Sequence, residues 1–198
     1  DSGGYLDDSI KLEVRISTLN NSNEVFLRNL RSEHVEKLVF IKGIVIKMGQ
    51  PKPQVTIAQY QCTVCQAPQS IVQKGEELVK PENCSNPNCT NKKKFELIKD
   101  LCEYIDYQRI TIQEPPEDLP PGAIPRTIPA ILKLGLVDTV RPGDRIKSYA
   151  IYRSNPVENN RGKVGTVFAP FLEINNVEKL KLEDEEGDVT LEDIGQIT

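Results

Sequence analysis

Residues 39–47 read VFIKGIVIK, a run of β-branched and aromatic side chains around a central glycine, and this stretch decides the class of fold. Val, Ile and Phe lose rotamer freedom in a helix and pack well on a pleated surface, so Val39–Lys47 is predicted to be a strand. Gly43 in its middle predicts a bulge or sharp coil of the kind needed where a small sheet closes on itself. Working outward, Ile10–Ile16 alternates apolar and polar residues with the period of a half-buried strand. Gln54–Cys62, Tyr104–Gln113, Thr127–Leu134, Asp144–Arg153 and Val164–Val177 are further short apolar runs, bounded by Gly, Pro, Asn or Asp. One helical turn is expected, over Ser32–Leu38, with Ser32 as its N-cap.

Five or six strands with a glycine-marked early member suit a small closed barrel, and the oligonucleotide-binding (OB) fold is the common barrel of that size. Two segments interrupt the pattern. Cys62–Cys102 holds all five cysteines and few apolar residues, and is expected to form a separate lobe. Glu114–Pro129 (EPPEDLPPGAIPRTIP) is so rich in Pro that it is expected to stand outside the ladders as a stiff exposed loop. The expected class is mainly β, an OB-fold barrel with an inserted four-cysteine lobe. Its expected division is residues 1–10 as the end of an upstream segment, 11–55 and 104–180 as the barrel, 56–103 as the lobe, and 181–198 as an acidic linker.

The composition agrees with a globular, loop-rich chain. Of 198 residues 38% are hydrophobic and 27% charged, with 14 Pro, 12 Gly and no Trp, which excludes disordered and collagen-like classes. No run approaches the roughly 18 apolar residues of a bilayer span. DSGGYLDDS at the start lacks the features of a signal peptide, so an intracellular location without a membrane partner is expected. The formal net charge of −4 is unevenly placed. Residues 181–198 carry seven acids and one Lys, and residues 1–8 carry three acids and no base, leaving residues 9–180 at +5. Such an excess fits either a basic groove for a polyanion or a merely solvated surface.

Cys62-x2-Cys65 and Cys84-x4-Cys89 are two short knuckles with the spacing of a four-thiolate zinc ribbon. Each knuckle supplies two sulfurs from one turn, and tetrahedral Zn²⁺ needs two such turns face to face. A disulfide reading would require an oxidising compartment that nothing else in the chain supports. With four Cys ligands no position remains for water, so the zinc is expected to be structural. Cys102 is expected to be a small buried hydrophobe, and His34 a surface residue. The only Gly-Lys pair, Gly162-Lys163, lacks the rest of a P-loop, and the lone His has no partners for a nucleophilic triad. No enzymatic activity is expected of this chain.

Asn155–Gly165 (NPVENNRGKVG) reads as a β-hairpin whose tip carries Arg161 and Lys163. Lys47 and Lys52 flank the end of the early strand, and Arg126 lies in the Pro-rich loop. Cations so placed are either solvated or in contact with phosphates; contacts of the second kind would bind without sequence preference and weaken with salt.

The ordered set LRSEHVEKLVFIKGIVIK (Leu30–Lys47), the four-Cys insertion, DYQRITIQEPPEDLPPGAIPRTI (Asp106–Ile128) and LGLVDTVRPGDRIK (Leu134–Lys147) resembles the N-terminal region of a minichromosome maintenance (MCM) replicative helicase, closest to the archaeal type. The resemblance covers about Leu12 to Leu180. It implies an OB barrel with an inserted zinc lobe, from a protein whose helical lobe and AAA+ ATPase lie outside this chain. It implies a hexameric or double-hexameric ring that encloses single- or double-stranded DNA. It gives Cys62, Cys65, Cys84 and Cys89 a structural Zn²⁺, and Lys47, Lys52, Arg126, Arg161 and Lys163 a grip on single-stranded DNA. Gln113, Glu114 and Arg126 match a loop that communicates with the ATPase domain of the same protein. The location implied is the nucleoid or cytoplasm of an archaeon or the nucleus of a eukaryote. The alternative is a free-standing single-stranded-DNA-binding OB protein with a structural zinc ribbon; the zinc and OB portion of a ligase would need a nucleotidyl-transfer motif that the sequence lacks.

Overall fold

The computed structural model describes residues 13–17, 24–73, 75, 77–158 and 164–180. Among the described residues eight strands run in the order β1 Leu38–Met48, β2 Lys52–Cys62, β3 Pro68–Val72, β4 Phe95–Leu97, β5 Glu103–Gln113, β6 Thr127–Lys133, β7 Arg145–Glu158 and β8 Val164–Lys179. The chain divides into two compact units. The first takes the described residues up to Met48, Ile110–Leu132 and those from Val140 on; the second takes Gly49–Arg109 and Lys133–Thr139.

The first unit is a closed barrel. Hydrogen-bonded neighbours run β1-β7-β8-β6-β5, and β1 pairs again with the C-terminal part of β5 to complete the circle. β1 is antiparallel to β5 and β7, and β7 to β8, whereas β6 and β8 are parallel through Ala130↔Leu172 and Ile131↔Glu173. Five strands closed in this order make the OB barrel. Its core follows the period of two: Val39, Ile41 and Val45; Ile110 and Ile112; Ile128, Ala130 and Leu132; Ile146 and Ala150; Leu172 and Ile174 are all buried. Ser148 falls on the same face of β7 and satisfies its buried hydroxyl by donating to Ile41 O at 3.1 Å. Phe40 is buried too, stacked on its cross-strand partner Tyr149 with ring centroids 5.1 Å apart.

Several local expectations are corrected. The irregularity in β1 lies between Val45 and Lys47, while Gly43 pairs regularly with Ile146. A Cβ on Gly43 would stand 2.2 Å from Ile112 Cγ2 and 3.0 Å from Gln113 O, so the glycine permits a close crossing of β5 and makes no bulge. Residues 13–16, the described part of the expected strand over Ile10–Ile16, form no strand, and Val14 is 78% exposed. They are held by side chains of β8: Ile16 N donates to Asn175 Oδ1 at 2.7 Å, Asn175 Nδ2 to Val14 O at 3.0 Å and Asn176 Nδ2 to Ile16 O at 3.1 Å. The expected helical turn is a 3-10 turn over Ser32–His34 with Arg31 as N-cap, and half-buried His34 accepts from Arg31 N at its Nδ1. Two short strands within the cysteine lobe, β3 and β4, had no periodic signal long enough to read.

The Pro-rich segment is shorter and better anchored than expected, because Thr127–Pro129 already belongs to β6. Its neck is closed by Glu114 N donating to Arg126 O at 3.0 Å. Inside it, Pro116–Asp118 is a 3-10 turn, and Ala123 N donates to Pro120 O at 3.0 Å. Pro121 and Gly122, the latter at φ +78°, occupy the positions where a type II turn needs a fixed φ and then a positive one.

In the second unit β2 is the common partner. It pairs antiparallel with β3, with β4 and with the N-terminal part of β5. Its buried residues include Ala58, Tyr60, Cys62, Tyr107 and Leu136, together with the polar Gln108 and Asn91. Fully buried Gln108 is saturated: its Nε2 donates to Gly49 O at 2.9 Å and Asp138 Oδ1 at 2.8 Å, and its Oε1 accepts from Asp138 N at 2.9 Å.

Candidate metal centre and phosphate-binding surface

Cys62 ends β2, and the chain turns at once. Gln66 N donates to Cys62 O and Cys62 N to Ala67 O, both at 3.0 Å, with Gln66 at φ +61°. The second knuckle is closed by Cys89 N donating to Asn86 O at 3.0 Å, and Cys84 N donates to Asn91 O at 3.3 Å. The two turns bring the four sulfurs within 4.8 Å of one another, with Cys62 Sγ 3.8 Å from Cys89 Sγ and Cys65 Sγ 3.5 Å from Cys84 Sγ. A tetrahedron of Zn–S bonds of about 2.3 Å has edges of about 3.8 Å, so four thiols so placed fit that ion. All five cysteines are unpaired by disulfide.

The electrostatics favour a cation among the sulfurs. For Cys62, burial pushes the thiol up, but the backbone amides of Cys65 and Val64 and the Asn91 side chain pull it down, to about 6. Asn91 Nδ2 donates to Cys62 Sγ at 3.0 Å while also holding Lys94 O at 2.6 Å, which orients the sulfur as well as stabilising its anion. At Cys84 the backbone amide of Asn86 pulls the thiol down, but burial and the neighbouring sulfurs drive it up to about 12. Four crowded thiols cannot all ionise alone, and a divalent cation is what would let them. Cys102 lies outside the group: it is half-buried, accepts from Gln59 N at 3.4 Å and donates to Ile98 O at 3.3 Å.

The predicted phosphate contacts fall in different places. Lys47, opposite Thr111, and Arg126 are exposed in the barrel unit; Lys52 is exposed in the second unit. Arg161 and Lys163 lie outside the described residues. Lys52 lines a cleft of about 740 Å³ with Tyr107 and Arg109, neither of which the sequence singled out. Arg109 Nε donates to the Tyr107 hydroxyl at 2.7 Å. The signal available was the alternation of Tyr107 and Arg109 on one face of β5, which only the pairing with Lys52 turns into a site.

Of the three residues assigned to the communicating loop, Gln113 is half-buried, Arg126 exposed and Glu114 buried. Glu114 accepts from Arg28 Nε at 3.1 Å and NH2 at 3.0 Å, and from Arg126 N at 2.9 Å. Burial pushes this carboxyl up, but the Arg28 guanidinium and the Arg126 amide outweigh it and hold it below the usual range. A second ion pair, Arg145 with Glu117 at 2.7 Å, fastens the loop farther along.

A family model described as the MCM OB domain matches residues 25–156. DNA replication licensing factor MCM4 of Arabidopsis thaliana is 30% identical over 182 residues, which cover 88% of this chain and 21% of that protein. DNA replication licensing factor mcm2 of Xenopus laevis is 34% identical over 191 residues, 94% of this chain and 21% of its own length. DNA replication licensing factor mcm-6 of Caenorhabditis briggsae is 33% identical over 135 residues, 68% of this chain and 17% of its own. The chain spans about a fifth of the length of these curated relatives.

Proposed function

The chain belongs to the MCM family through its OB domain, and from that premise we propose that it is the DNA-binding and ring-forming module of a replicative helicase. The observation that carries the reading is the family match, which takes in the four-cysteine lobe and the barrel from β1 to Pro156 in β7, leaving only β8 of the five barrel strands outside it. The matched domain is an OB domain and not an ATPase, so no enzymatic activity is expected of this stretch.

In this reading the barrel assembles as a hexamer or double hexamer around DNA. Lys47, Lys52 and Arg126, with Arg161 and Lys163 from the stretch between β7 and β8, meet phosphates of the enclosed single strand. Such contacts give affinity that falls with salt and ignores sequence. Cys62, Cys65, Cys84 and Cys89 hold a structural Zn²⁺ that neutralises their thiolates and joins the two knuckles. The Pro-rich loop after Gln113 reaches toward the ATPase domain of the whole protein, and its closed neck lets it act as a stiff lever. The location that goes with this role is the nucleoid or cytoplasm in an archaeon and the nucleus in a eukaryote.

Absolute mass by light scattering, with and without a single-stranded oligonucleotide near physiological salt, tests the proposal. A hexamer that DNA promotes is the expected result. A monomer that binds single strands and never assembles would favour the free-standing single-strand binder.

A further inference from the structure

Arg31 and Arg126 are 95 positions apart in sequence, yet both aim NH1 at the same backbone oxygen. Arg31 donates NH1 to Arg28 O at 2.6 Å and to Leu30 O at 2.8 Å; Arg126 donates NH1 to Arg28 O at 3.2 Å. The two NH1 atoms are therefore at most about 6 Å apart. Both side chains are exposed, and among the described residues neither has a carboxylate at ion-pair distance. Glu114, the acid within this network, is already taken up by the Arg28 guanidinium and the Arg126 amide.

The carbonyl contacts use only NH1 of each guanidinium, and among the described residues Nε and NH2 of both have no acceptor and remain as donors. A carboxylate and a phosphodiester each carry one negative charge on two oxygens that accept from such forks, and on a surface that binds a nucleic-acid strand the anion supplied is the phosphodiester. Two like charges held this close by backbone anchors, without a neutralising acid, fit a single anion between them.

Resting on the function proposed above, we infer that Arg31 and Arg126 form a clamp for one backbone phosphate of a bound single strand, with Arg28 O as its pivot. Arg28 and Glu114 are positioning residues: their bidentate pair fixes the Arg28 backbone oxygen from which both cations hang. Arg31 thereby joins the binding surface although it lies before the first strand of the barrel.

Fluorescence anisotropy with an oligothymidylate, measured on the whole chain over a range of salt, tests the clamp through Arg31→Gln, Arg126→Gln and the double variant. Each single substitution is expected to weaken binding several-fold and to flatten the slope of log K against log salt by about 0.7, the share of one phosphate on a single strand. The double variant is expected to flatten it no further, because both cations serve one phosphate. Arg28→Lys, which keeps the charge but loses the fork, is expected to weaken binding as well. Unchanged affinity in Arg31→Gln, or slope losses that add in the double variant, would overturn the clamp; unchanged affinity in Arg28→Lys would overturn the positioning role. Should the wild-type chain bind no oligothymidylate, the function proposed above fails first. Titration with inorganic phosphate, followed at the arginine Nε–Hε resonances, then decides the clamp: saturable shifts confined to Arg31 and Arg126 uphold it, and a flat response overturns it.

Discussion

The barrel and the cysteine lobe are stabilised by different means. The barrel buries Ile, Val and Leu on alternate positions of all five strands, and its few buried polar groups are incidental to that core. The second unit buries two tyrosines, an alanine, a cysteine and a leucine, and relies on named polar contacts: the Gln108 amide, the Asn91 amide, the Tyr60 hydroxyl on Val79 O, and four sulfurs within 4.8 Å of one another. The lesson is that a short insertion with little apolar surface can hold a defined shape when ligands and hydrogen bonds replace core volume. Loss of one contact should thus be graded in the barrel and abrupt in the lobe.

The largest effect should come from the metal proposed for the four sulfurs. Chelating zinc, or Cys84→Ser, is expected to loosen the lobe while leaving the barrel folded, since metal binding to small zinc domains is worth about 10–16 kcal/mol of folding free energy. Amide exchange would check this, with protection lost over residues 62–95 and kept over β7 and β8; unchanged melting of metal-free protein would break the comparison. Next is the apolar core. Ile41→Ala should cost about 2–5 kcal/mol by denaturant unfolding, whereas Val64→Ala, on a side chain 66% exposed within the first knuckle, should stay within about 0.5 kcal/mol.

Gln108→Ala sharpens the polar half of the comparison. It strands the Gly49 carbonyl and both groups of Asp138, and a loss of about 1–3 kcal/mol is expected. A smaller loss would mean that water replaces the amide. Smallest is the loop neck. Glu114 has a folded pKa below its unfolded value, so its contribution is fully present above the unfolded value near 4.3 and is lost as pH falls through the folded one. Stability against pH should therefore bend downward below about pH 5 in the wild type, and this bend should be shallower in Glu114→Gln.

The strands of the barrel were legible because period-two alternation is a local property, and β1, β5 and β6 lie within a residue or two of where the apolar runs place them. The cysteine spacing was legible for a similar reason, each knuckle being one turn. Residues 13–16 misled because alternation without an available ladder does not make a strand; Asn175 and Asn176 hold the segment instead. Gly43 misled because a glycine in a strand marks either a bulge or a close crossing, and the deciding neighbour, Ile112, is far away in sequence. Ser32 has the chemistry of a cap, but the 3-10 turn begins there and leaves Arg31 in the capping position.

By itself the sequence determined the β class, the four sulfurs and the family, since each rests on residue type and short spacing. The tertiary structure alone decided that β1 returns to β5 to close the barrel, that Tyr107 and Arg109 share a cleft with Lys52, and that Glu114 is buried against Arg28, 86 residues away. The physical reason is range. Rotamer and turn preferences act within a few residues, whereas closure, burial and charge pairing depend on which distant segment the folded chain brings alongside.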